Sequence, residues 1–165
     1  MKIDLGLIIE DKAWREELSI KKKAVVLIIS ETLTHIPALS GVKDIEIAVL
    51  LTNNGKMQEL NVEFRDQNKP TNVLSFPDVE IKPDELLEFV SGKEYIYLGD
   101  IALGFDIVKA EASEAGVTIL EHFTHLVVHG VLHLIGYDHM NDHEEKEMMD
   151  LEIKILQKLG IESPY

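Results

Sequence analysis

Three histidines, His129, His133 and His139, fall within eleven residues in the stretch His129-Gly130-Val131-Leu132-His133-Leu134-Ile135-Gly136-Tyr137-Asp138-His139. Residues four apart on a helix lie on one face, so His129 and His133 can aim two imidazoles at one point with the backbone fixing their separation. Gly136 permits the positive-φ turn that ends such a helix, after which the chain can double back and bring His139 in from a third direction. A catalytic zinc takes three protein ligands at about 2.0–2.1 Å and keeps a fourth position for water, whose pKa it lowers to about 7. One Zn2+ per chain on these three side chains is the expected site. The bland alternative, solvated or packed histidines, suits a lone pair better than this triple with its intervening glycine. The chain has no cysteine, so disulfides and thiolate sites are excluded and a transition metal must be held by histidine and carboxylate.

His125 lies four residues before His129, and His122 seven before, near the same helical face. Along the axis His125 and His133 are about 12 Å apart at ~1.5 Å per residue, too far to share an ion. His125 is therefore expected beside the site, His122 in a structural role, and His143 exposed at the start of a later helix; His35 carries no signal. The spacing invites comparison with the metzincin peptidases, whose H-E-x-x-H-x-x-G-x-x-H motif uses its glutamate as general base. Position two here is Gly130. The zinc-binding helix is metzincin-like, but the proton acceptor of peptidase chemistry is missing.

The frame for these side chains can be read from hydrophobic period. Residues 2 to 10 predict a strand, and apolar positions from about Trp14 through Leu18, Val25, Ile28, Leu33 and Ile36 predict one helix up to Pro37. Alternation over Asp44 to Thr52 predicts a strand, Asn53-Asn54-Gly55 a turn, and Met57 to Arg65 a helix. Asn72 to Phe76 reads as a short strand closed by Pro77, residues 78 to 92 as a surface excursion with one helical turn near Leu86, and Tyr95 to Leu103 as a strand. Helices follow over about 105 to 115, 118 to 135 and 142 to 159, the last with an apolar stripe of Met148, Leu151, Ile155 and Leu159 before Gly160. The expectation is an α+β single domain over residues 1–165, with about four strands in a mixed sheet covered by about five helices.

Composition sets outer limits. The 165 residues contain no repeat or low-complexity linker and are enough for one self-sufficient core. Asp4 and Glu10 interrupt the apolar N-terminus, unlike a signal peptide, and the longest apolar run, Ala24 to Ile29, is too short to span a bilayer. A cytoplasmic protein without membrane contact is expected. Thirty acidic residues against 16 basic ones give a net charge of −14, which repels polyanions at long range. A local basic patch or a bound divalent cation can reverse that potential inside a cleft.

The stretch from His129 to His139 resembles the signature of the YbeY endoribonucleases, and two further segments match in the family's order. These are Leu60-Asn61, Phe64-Arg65 and Pro70-Thr71-Asn72-Val73-Leu74-Ser75-Phe76-Pro77, then Leu98-Gly99-Asp100-Ile101. The resemblance covers residues 60 to 140; the N-terminal third adds little. It implies a zinc-dependent, single-strand-specific endoribonuclease acting in 3′-end maturation of small-subunit rRNA and in ribosome quality control. Zinc-activated water would attack the phosphodiester. It implies His129, His133 and His139 as metal ligands, Arg65 as the catalytic residue, and a ribosomal subunit or ribosomal protein as partner, with no role on DNA.

A guanidinium is also what phosphodiester cleavage calls for, since it grips developing negative charge with two parallel hydrogen bonds. Arg65 could equally be a salt-bridge residue with Asp66 or another carboxylate. Asp138 could orient a ligand imidazole or cap a turn; Thr71, Asn72 and Ser75 are read as structural. Lys21 to Lys23 form the main basic cluster, a solvated helix face or a contact to rRNA. Two other functions stand beside the ribonuclease: a metal hydrolase of another substrate class, and a ribosome assembly factor whose metal is chiefly structural.

Overall fold

The computed structural model describes all 165 residues. Four strands, β1 (Lys2–Ile9), β2 (Asp44–Thr52), β3 (Val73–Pro77) and β4 (Tyr95–Gly104), form one sheet in the order β1-β2-β4-β3. β1 and β4 run parallel to β2, while β3 pairs antiparallel with β4, so the sheet is mixed and β3 is an edge strand. Ile45, Ile47, Val49 and Leu51 alternate into the core from β2, as a half-buried strand requires. The register of β2 against β4 shifts at Leu98-Gly99, where Gly99 adopts φ +132° and a Cβ would stand 2.2 Å from the Phe76 carbonyl. Only glycine fits there, which accounts for the Leu98-Gly99-Asp100 motif.

The helices are α1 (Ala13–Glu16), α2 (Lys22–Thr34), α3 (Asn54–Arg65), α4 (Leu86–Val90), α5 (Phe105–Ala115), α6 (Ile119–Leu134) and α7 (Asp142–Lys158). The α+β class and the four-stranded sheet are as the sequence predicts; the helices number seven because two short ones join the five expected. The helix read from Trp14 to Ile36 is in fact two. Ser19 takes a left-handed φ of +53°, and the Ile20 N–H turns back to the Trp14 carbonyl at 3.3 Å, closing α1 before α2 begins. Apolar period continues across this break because both pieces face the same core: Trp14 is fully buried against Phe105 and Phe123 and donates its indole N–H to the Thr52 carbonyl at 2.9 Å. α3 starts at Asn54, three residues before the expected Met57, because the Asn53 side chain accepts the Lys56 N–H at 3.0 Å and caps the helix.

One cluster of 33 buried apolar side chains joins the sheet face to α2, α5, α6 and α7, and a second small one, Met57, Leu74 and Ala102, lies under α3. Residues 78 to 92 run less over the surface than expected, since Leu86 and Val90 enter the larger cluster. β3 thus sends Leu74 toward α3, while its Ser75 hydroxyl donates to the Gly130 carbonyl of α6 at 3.0 Å. The edge strand is the seam between the two helical layers, and the candidate site opens along it. No single helix is long and apolar enough to cross a membrane.

Candidate metal centre

α6 is fixed at its start by a reciprocal capping box, Thr118 accepting the Glu121 N–H at 3.0 Å, and along its length by a buried face that includes Phe123, Val127, Val131 and Leu134. His129 and His133 therefore stand half-buried on the face that remains. Gly136 ends the helix with φ +102°, and a Cβ there would lie 2.1 Å from the Ile81 carbonyl oxygen, so the turn is both left-handed and in contact with the 78–92 segment. It returns His139 to the other two imidazoles. One nitrogen from each of the three lies within 4.8 Å of the others, so the trio could hold a metal ion.

The hydrogen bonds decide which nitrogens face inward. His133 Nδ1 is 2.8 Å from the Tyr137 carbonyl, which only accepts, so Nδ1 carries the proton. His129 Nδ1 is 2.5 Å from the Glu152 carboxylate and donates to it. Both Nε2 atoms are then left with lone pairs, and they face each other at 2.9 Å. A proton could bridge them, but burial, with the nearby His129 charge, lowers His133 to about 4, against the Tyr137 bond that pushes it up. Nitrogens aimed at one point from three rings are a donor set for a cation, and ligand nitrogens on a tetrahedral zinc stand about 3.4 Å apart, only a little more than His129 Nε2 and His133 Nε2 do here. The donor set fits zinc.

Glu152 of α7 supports the cluster and is not among the site residues expected from the sequence. It is fully buried, and its other oxygen accepts from His125 Nε2 at 3.4 Å and from the Tyr165 hydroxyl. Burial pushes its carboxyl up, but these bonds from His125, His129 and Tyr165 outweigh that and hold it at about 2. A signal was present: Glu152 sits four residues after Met148 and three before Ile155, a charge inside an apolar stripe. His125 stands next to the site through Glu152, as expected, and His122 bonds Glu111 of α5 at 3.0 Å, a structural tie. Asp138 accepts its neighbour His139's N–H at 2.8 Å and so caps the turn; the orienting acceptor for His133 is the Tyr137 carbonyl instead. His143 is exposed, and His35 Nδ1 is spent on the Glu31 carbonyl.

A cleft of about 1070 Å³ runs from the three histidines along β3 to the end of α3, and Arg65 lines it. Arg65 is exposed and makes no ion pair; neither Asp66 nor any other carboxylate lies within 4.0 Å of it. Asn72 and Ser75 line the same cleft, yet their side chains are engaged with Glu111 and Gly130. Lys21 to Lys23 are at the start of α2, away from the cleft wall. Gly130 faces the sheet: a Cβ would touch Ile101 and the Ser75 hydroxyl at 3.2–3.3 Å, so the place of the metzincin glutamate is here a close helix–sheet contact.

The family model described as endoribonuclease YbeY matches residues 9–160. The chain belongs to the YbeY endoribonuclease family. An endoribonuclease YbeY from Colwellia psychrerythraea is 46% identical over 123 residues, covering 74% of each chain. The solution structure of TM1509 from Thermotoga maritima is similar with a TM-score of 0.57 and 28% identity, over 94% of this chain and 88% of that one. Membership of the YbeY family makes this chain a nuclease-type hydrolase whose partner is RNA.

Proposed function

We propose that residues 1–165 form one metal-dependent hydrolase domain, a single-strand-specific endoribonuclease acting in the cytoplasm on the 3′ end of small-subunit rRNA and in ribosome quality control. The observation that carries this is that the three-histidine cluster and the unpaired guanidinium of Arg65 wall one cleft in a YbeY-family chain. His129, His133 and His139 would hold one Zn2+ per chain. Bound there, zinc supplies Lewis acidity that readies water for attack at phosphorus and offsets phosphate charge. His133 meets it as a neutral base, since its folded pKa of about 4 leaves the ring unprotonated near pH 7. Glu152 fixes the tautomer of His129 and Tyr137 that of His133. Arg65 grips the non-bridging phosphate oxygens, which its freedom from ion pairs allows.

A net charge of −14 handicaps the capture of free RNA, so a ribosomal subunit or ribosomal protein is the expected bearer of the substrate. The assembly-factor reading requires a metal that holds the fold together, whereas the 33-residue apolar core closes without the histidines. Arg65→Ala tests the cleavage role. An exposed, unpaired side chain costs little stability, within about 0.5 kcal/mol, while loss of one transition-state donor lowers turnover about 10²–10³-fold. Zinc content and thermal midpoint should stay at wild-type values as cleavage of single-stranded RNA falls; unchanged cleavage removes Arg65 from the mechanism.

A further inference from the structure

Phe64 alone of the five phenylalanines is exposed, with 57% of its surface open. It precedes Arg65 in the last turn of α3, and both line the cleft. Phe76 of β3 meets it at 5.0 Å between ring centres and 62° between planes, an edge contact that supports the ring without covering it. The turn beneath is tied by hydrogen bonds. Asp66 takes φ +53°, its N–H and that of Gln67 return to Val62 and Asn61 at 3.2 and 3.1 Å, and the Asn61 side chain ties down the Lys69 carbonyl at 2.9 Å.

Charge sharpens the question of what this ring is for. The cleft wall carries two cations, Arg65 and Lys82, against four carboxylates, Glu80, Glu85, Asp138 and Glu144. Phosphate attraction, the usual source of RNA affinity, is therefore weak here away from a bound metal. We propose that Phe64 is a base shelf: one unpaired nucleobase of the RNA stacks on its exposed face while Arg65 holds the adjoining phosphate, so that stacking rather than charge supplies most of the affinity. This rests on the ribonuclease reading and gives it a physical reason for single-strand preference, because bases inside a duplex have no free face to offer.

The test uses zinc-loaded protein and a fluorescent oligoadenylate carrying one 2-aminopurine. Loss of one base–aromatic stack weakens binding about 5- to 140-fold. Phe64→Leu, which keeps bulk but has no π-face, should lose that much affinity and fail to quench the 2-aminopurine; Phe64→Trp should bind at least as well as wild type and quench it. Wild-type affinity should also fall only slightly between low and moderate salt. Equal binding by wild type and Phe64→Leu overturns the shelf and leaves the ring to a protein partner. Equal loss in the Leu and Trp variants, with thermal midpoint and zinc content unchanged, overturns it too, since shape rather than stacking then matters. If wild type binds no oligonucleotide, the shelf fails; if it also cuts neither the oligonucleotide nor rRNA in purified small subunits, the ribonuclease reading fails, and both outcomes are distinct from loss in the variants alone.

Discussion

Glu152→Gln removes one negative charge from a fully buried side chain whose two oxygens serve three donors, His129 Nδ1, His125 Nε2 and the Tyr165 hydroxyl. The amide can keep its oxygen toward His129 only by turning its NH2 toward His125 and Tyr165, which must then accept rather than donate. The opposite rotamer puts NH2 against His129 Nδ1, forces the proton onto Nε2 and blocks that nitrogen as a ligand. Either way a charge-assisted bond, typically ~1.5–3 kcal/mol, becomes a neutral one of ~0.5–1.5, a loss of about 1–2 kcal/mol. For a chain of this size that lowers the thermal midpoint of the metal-free protein by roughly 2–8 °C. Zinc affinity should fall about 10–100-fold, the usual effect of removing the acceptor behind a ligand histidine. Glu152→Ala should do more to both, leaving buried donors without partners. Competition against a fluorescent zinc chelator, with melting curves on the metal-free proteins, measures the two effects separately. Zinc affinity within about twofold of wild type in a folded Glu152→Gln protein would show that Glu152 does not set the His129 tautomer.

The metal-free protein should lose stability as pH falls. His133 has a folded pKa of about 4 against an ordinary 6.5, so between those values the unfolded chain binds more protons, and stability drops as pH falls through the window. Glu152, at about 2 against 4.5, extends the loss below pH 4.5; urea midpoints in excess chelator that stay flat from pH 7 to 4 would contradict the His133 assignment, and midpoints that stay flat below pH 4.5 would contradict that of Glu152. Gly136→Ala should cost about 3 kcal/mol through a strained φ and overlap with the Ile81 carbonyl, and should weaken zinc binding by displacing His139. Gly116→Ala, at φ +71° with open space around it, should cost about 1 kcal/mol and leave zinc binding alone.

Elements whose own sequence determines them are legible in the sequence alone. β2 shows strict alternation, and α5, α6 and α7 have apolar stripes and glycine punctuation, Gly136 after α6 and Gly160 after α7, so their limits match to within a residue or two. Ser19 was not legible, because a left-handed serine at a helix end leaves no mark when both flanking helices bury the same face. Residues 78–92 read as surface because polar side chains dominate, while the burial of Leu86 and Val90 depends on a surface supplied by distant segments. The histidine cluster was legible because all three side chains lie on one helix and its exit turn. Its support was not: Glu152 reaches His129 across 23 residues, and the acceptor behind His133 is a backbone carbonyl, which side-chain identity cannot reveal.

Whether the three histidines hold a metal needed for RNA cleavage is measured most directly on nuclease-free wild type beside His133→Ala, with metal content from elemental analysis and cleavage on one single-stranded RNA. Wild type should hold about one zinc per chain, and His133→Ala should lose both metal and cleavage while keeping its apolar core and its fold. Cleavage that persists equally in a metal-free His133→Ala protein would contradict the metal requirement.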